Sequence, residues 1–128
     1  MQFNNRSPIY LQIGEYFHDL ILNATWPDGE RIPSVRDMAM QLEVNPNTVT
    51  RTYAMLQEEG ILENQRGIGY FTSKDARQLV LKMRRDMFIK TELPSLFASM
   101  KTLAIDFEVI ETYYLLYQKE KENNESES

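Results

Sequence analysis

Apolar residues recur at steps of three and four through Ile9, Ile13, Tyr16, Phe17, Leu20 and Ile21, the period of a helix with one buried face. Ser7 is the expected N-cap of this helix and Pro8 its first turn. Trp26-Pro27-Asp28-Gly29 carries a turn signal that ends the segment. A second, shorter stripe follows in Val35, Met38, Ala39 and Leu42, with Ser34 as N-cap and Asp37 in the first turn. After Glu43-Val44, a third helix is expected from Asn45 (cap) and Pro46 (first residue), with Val49, Tyr53 and Leu56 buried and Gly60 closing it. The period then changes. Residues 61–65 and 70–72 read as two short strands around the hairpin tip Arg66-Gly67-Ile68-Gly69.

Helical spacing returns in Ala76, Leu79, Val80, Met83, Met87 and Phe88, then in Leu96, Phe97, Met100 and Leu103. Pro94 between them must break or kink the helix, or open a new one. Asp106 is placed to cap a last helix with Phe107, Ile110, Tyr113, Tyr114 and Tyr117 on its apolar side. The pattern predicts a mainly α chain with a small β-wing: a winged helix-turn-helix over 1–73, a short helical dimerisation region over 74–121, and a disordered polar tail over 122–128. The residues expected at the dimer contact are Leu79, Met83, Met87, Phe97, Met100, Phe107, Ile110, Tyr113, Tyr114 and Tyr117. Aromatic and methionine side chains suit such a contact, although they could also line a pocket for an apolar effector.

A net charge of −5 over 128 residues argues at first against a polyanionic partner. Its distribution reverses that argument. Residues 31–90 hold ten basic side chains against seven acidic, whereas residues 91–128 hold three against eight. Charge is therefore mildly positive where the helix-turn-helix falls and negative in the last third. The chain has no cysteine, which excludes disulfides, thiolate metal sites and cysteine nucleophiles. With a single histidine, His18, a metal centre is not expected either, and no cofactor is indicated. The opening residues lack the layout of a signal peptide and no apolar run approaches membrane-spanning length, so a cytoplasmic protein without a membrane partner is expected.

Two short helices joined by a tight turn let the second lie in a DNA major groove with its N-terminal residues leading. On the third helix, Asn47, Thr48, Thr50 and Arg51 occupy the side opposite the buried stripe. Asn and Thr reach base edges or phosphate oxygens, and Arg pairs bidentately with guanine. Arg36 can reach the same groove, free amides after Asn45 could hold a phosphate, and Arg66 on the wing could meet a phosphate or the minor groove. The full candidate DNA-contacting set is Ser34, Arg36, Asn45, Asn47, Thr48, Thr50, Arg51, Tyr53, Arg66, Gly67 and Gly69. A plainer reading of the same residues makes them helix caps, turn glycines and solvated arginines.

Residues 8–13 (PIYLQI), 32–39 (IPSVRDMA), 44–49 (VNPNTV), Arg51-Thr52-Tyr53 and Arg66-Gly67-Ile68-Gly69, in this order, resemble the GntR family of bacterial regulators over about residues 7–73. The short C-terminal part is similar to the YtrA-like subfamily, in which a small helical tail serves dimerisation. The resemblance implies a winged-helix repressor that binds an inverted-repeat operator as a homodimer. It also implies DNA contacts at Arg36, Asn47, Thr48, Arg51, Arg66 and Gly67. Ile32 departs from the usual leucine, and Asn23-Ala24-Thr25 lacks a glycine often found in that loop. Against this stands a winged helix used only for protein docking. An enzyme is not indicated, since no nucleophile–base pair, metal cluster or nucleotide loop is present, and the carboxylates Glu120, Glu122, Glu125 and Glu127 read as solvated charge. The effector, if one exists, is not indicated.

Overall fold

The structure, a computed structural model, describes residues 1–127 and divides into two compact units, 1–85 and 86–128. In the first unit α1 (Ile9–Leu22), α2 (Val35–Leu42), α3 (Pro46–Glu58) and the start of α4 (Ala76–Met87) surround one core. Ile13, Phe17, Val49, Tyr53, Leu56, Ile61 and Val80 are fully buried in it. Phe17 holds its centre, with ring centroids 4.8 Å from Trp26 and 5.7 Å from Tyr53. Helix α1 does not start as its sequence suggests. Pro8 is the capping residue and no side chain caps it. Ser7 offers its carbonyl instead, accepting from Gln12 Nε2 at 2.7 Å, while the same amide bonds both the N–H and the carbonyl of Asn4. One buried glutamine ties the leading arm to α1 in place of a serine cap.

Ser34 Oγ accepts from the Asp37 amide at 3.1 Å, and Asn45 Oδ1 from the Asn47 amide at 2.8 Å, so both expected caps of the helix-turn-helix form. The helix ends share a device. Gly60, at φ 80°, follows α3 while its N–H donates to Gln57 O and that of Ile61 to Leu56 O, the pairing of a Schellman motif. Glu43 closes α2 in the same way at φ 56°, with its N–H on Met40 O and that of Val44 on Ala39 O. A left-handed glutamate costs roughly 1–2 kcal/mol relative to a right-handed one. It persists because the turn must deliver α3 at its angle to α2.

Strands β1 (Leu62–Gln65) and β2 (Gly69–Thr72) pair antiparallel, with Leu62 opposite Thr72 and Gln65 opposite Gly69. Residues 30–32 add a third edge. The Ile32 amide donates to Tyr70 O and the Thr72 amide to Glu30 O, both at 2.9 Å, around a bridge between Arg31 and Phe71. Helix α4 then returns to the core, where Ala76 and Val80 are buried and Leu79 and Met83 pack beside them. Leu79 and Met83, expected at a dimer contact, are thus partly buried against the core of the first unit.

Arg84 of α4 pairs with Asp19 and donates to Glu15 O at 3.1 Å. Half-buried His18 lies by this pair, its Nε2 without a hydrogen-bond partner among the described residues. Burial first, and the Arg84 charge second, lower its pKa from 6.5 to about 4, with Asp19 opposing. The folded state thus favours neutral His18. Its contribution to stability is complete above pH 6.5 and is lost as pH falls towards 4. Glu59, raised by burial and by Glu58, acts in the opposite sense. The expected result is a melting temperature that declines more steeply between pH 6.5 and 4 in the native chain than in His18→Gln; parallel curves would rule out this role for His18.

The second unit contains the end of α4, a π-helical turn at Phe88–Glu92, α5 (Leu93–Thr102) and α6 (Phe107–Glu127). Pro94, at the start of α5, accounts for the π turn: proline has no N–H and its ring crowds the carbonyl four residues back, and the wider turn relieves the crowding. The Leu93 amide reaches Phe88 O, five residues back. Ala104, at φ 53°, turns the chain between α5 and α6 in a third Schellman pairing, Ile105 N–H to Met100 O and Ala104 N–H to Lys101 O. Residues 122–127, expected as a disordered tail, are the last turns of α6; Ser128 lies outside the described residues. Glu122, Glu125 and Glu127 of that stretch are good helix formers, so polarity alone did not decide it. None of residues 86–126 is buried. Met87, Phe97, Phe107, Tyr113, Tyr114 and Tyr117 are each more than half exposed, while Met100 and Ile110 are partly covered. Among the described residues no helix is long and apolar enough to cross a membrane.

Candidate nucleic-acid interface

The turn Glu43-Val44-Asn45 presents the N-terminal half of α3 to solvent, because Val49, Thr52, Tyr53 and Leu56 take the opposite side into the core. Asn47, Thr50 and Arg51 are exposed and Thr48 is half-buried. The Thr50 hydroxyl donates to Pro46 O at 3.0 Å, which leaves its oxygen free to accept. The Arg51 guanidinium lies over the Tyr10 ring of α1, with Cζ 3.8 Å from the centroid. Pro8, Ile9 and Tyr10 from α1 and Asn47, Thr48 and Arg51 from α3 together line an open cleft of about 390 Å³.

Ser34 and Asn45 are used differently from a direct contact. Their side-chain oxygens already accept backbone amides, so they aim α2 and α3. The start of α3 also lacks the free amides expected for a phosphate. Pro46 has none, Asn47 donates to the Asn45 side chain, and Thr48 and Val49 donate to Asn45 O. In α2, by contrast, the Asp37 and Met38 amides are taken by Ser34, and among the described residues those of Val35 and Arg36 have no partner. Exposed Arg36 therefore stands at the helix end with open donors and a positive dipole.

Tyr53 does not belong to the contacting set. It is fully buried, its hydroxyl donates to Pro33 O at 2.6 Å, and its ring meets Tyr70 edge-on at 4.8 Å. Burial, followed by Tyr70 and Asp37, pushes its hydroxyl far above the ordinary tyrosine range. Tyr53 thus ties α3 to the segment before α2 and to the wing. Tyr53→Phe leaves the Pro33 carbonyl without its donor, and a loss of about 1–3 kcal/mol is expected in denaturant unfolding, with unchanged base preference. A shift in base preference at unchanged stability would return Tyr53 to the interface.

In the wing, Arg66, Gly67 and Ile68 form the exposed tip, closed by the Ile68 amide on Gln65 O at 2.9 Å. Gly67 takes φ 81°, which requires glycine or a strained residue. Gly69, at φ 147°, has a second constraint: an added Cβ would lie 3.1 Å from Arg31 Nε. Arg31 Nη2 donates to Ile68 O at 2.6 Å and so braces the tip from the third edge. Sequence reasoning missed both Arg31 and Tyr10 as parts of this surface. For Tyr10 the proline-led start of α1 was a partial signal, whereas the bond from Arg31 to Ile68 spans 37 positions and leaves no local pattern.

The profile of the gntR family of bacterial regulatory proteins matches residues 9–71. The chain is 38% identical over 105 residues to the HTH-type transcriptional regulator YhcF of Bacillus subtilis (strain 168), covering 81% of this chain and 84% of that one. It is 34% identical over 110 residues to the HTH-type transcriptional repressor YtrA of the same organism, covering 84% of both. A solved GntR-family regulator from Bacteroides thetaiotaomicron superposes with a TM-score of 0.76 at 39% identity, over 88% of this chain and 99% of its own.

Proposed function

The chain belongs to the gntR family of bacterial regulatory proteins, DNA-binding transcription regulators rather than enzymes, and from that premise we propose a cytoplasmic repressor that binds an inverted-repeat operator as a homodimer. The row of exposed Asn47, Thr50 and Arg51 with half-buried Thr48 at the leading end of α3 supports this reading most directly. In it α3 enters the major groove, Arg36 and its free amides hold a flanking phosphate, and Arg66 and Gly67 of the wing approach the backbone or minor groove. Two subunits pair through residues 86–126, which bury nothing of their own, and set the two α3 helices about one DNA turn apart. The similarity to YtrA, named a repressor, supports the sign of regulation. Any ligand that repacks the paired helices would change the spacing and release the operator.

Fluorescence anisotropy tests the reading, with labelled DNA from upstream of the chain's own gene against a scrambled duplex at several salt concentrations. Tight binding to the first alone, with a steep salt dependence, is expected. Absence of binding to both at low salt would favour a winged helix that docks protein instead.

A further inference from the structure

Tyr10 stands outside the helix-turn-helix, yet its ring is the surface on which Arg51 rests, 3.8 Å from Cζ to the ring centroid. The two helices carrying this pair are locked together at Tyr10 itself and one residue from Arg51. Thr52, wholly buried, donates its hydroxyl to Tyr10 O at 2.8 Å and lies within 3.2 Å of Thr48 O. Gly14 of α1 faces α3 closely, and a Cβ there would lie 2.8 Å from Met55 Cε. The stack is therefore mounted on a fixed pair of backbones. Among the described residues Arg51 makes no hydrogen bond, so its guanidinium, held over the ring, keeps its N–H donors available beside the cleft it lines with Asn47 and Thr48.

An arginine on a solvated helix must give up rotamer freedom when it engages a base or phosphate, and a planar guanidinium already stacked has given up part of it beforehand. We propose that Tyr10 is a positioning residue for DNA recognition, its ring setting the plane in which Arg51 meets the duplex. The proposal rests on the reading of α3 as the recognition helix.

The probe is a duplex enriched from a random-sequence library by the native protein. Tyr10→Leu is expected to bind it about fivefold more weakly, the scale of an exposed cation–π contact, while Tyr10→Phe keeps the ring and binds like the native chain. In an Arg51→Ala background, measured at low salt, Tyr10→Leu has no further effect. A loss that persists in that background marks a general defect of the fold and overturns the proposal. Equal losses in Tyr10→Phe and Tyr10→Leu would assign the effect to the hydroxyl and overturn it, as would native affinity in Tyr10→Leu. Enrichment of no duplex at all is a different result: it removes the recognition-helix reading and this proposal with it.

Discussion

Replacing Arg36 and Arg51 together by alanine is expected to weaken operator binding by roughly 30-fold to 10⁴-fold, about 2–6 kcal/mol if each contact contributes 1–3 kcal/mol independently. Both side chains are exposed and neither forms an ion pair among the described residues, so truncation removes no core packing. Stability should therefore change by no more than about 1 kcal/mol, most of it the stack of Arg51 on Tyr10. The single variants separate two roles. A contact to a phosphate lowers the salt slope by about one and affects all sequences alike, whereas a contact to a base relaxes preference at one position. Arg36, beside open helix amides, is expected to behave in the first way and Arg51 in the second. Titrations of both variants at three salt concentrations would show this, and native affinity in the double variant would sink the assignment of the reading face.

A second large effect is expected far from DNA. Phe107 and Tyr114 lie seven residues apart, so they share one stripe of α6, and they are 67% and 57% exposed. In an isolated chain Phe107→Glu/Tyr114→Glu would be harmless or favourable, because both carboxylates would stand in water. Across a subunit contact the same change buries four unpaired charges per dimer, at several kcal/mol each. Sedimentation should then show a monomer. Operator affinity should fall by about 10²-fold or more, since the second recognition helix no longer profits from the first being bound. Binding to a half-site should be unaltered. A variant that stays dimeric would place the subunit contact elsewhere.

Local chemistry explains how much of this surface could be read directly. Ser34 and Asn45 were legible as caps because their neighbours repeat a helix-starting pattern, and Gly60 was legible as a helix end because glycine tolerates the left-handed turn. Glu43 and Ala104 make the same turn and were not legible, for neither residue type announces it. Period alone could not say which surface a stripe meets. Leu79, Met83 and Met87 follow one another at the same four-residue step, but the first two pack against the core of their own unit and Met87 stands exposed. Tyr53 shows the converse difficulty: a polar hydroxyl on α3 suggests contact, whereas its partner is a backbone carbonyl 20 positions earlier. Pro94 announced an interruption without its form, and the acidic residues after 121 concealed a helix. The unread part consists mostly of bonds between distant positions.

The third edge of the wing bears on the order in which the molecule assembles. Two four-residue strands alone make a hairpin that is marginal in water. Here the pairing partner of β2 precedes α2, about forty positions back, and the intervening chain is the helix-turn-helix itself. The loop that must close before Ile32 meets Tyr70 is thus filled only once α2 and α3 have packed. The wing is therefore expected to consolidate late and to open only with that core: in hydrogen exchange the amides of Ile32 and Thr72 should be protected together with the helices, despite lying in a structure that looks like an appendage.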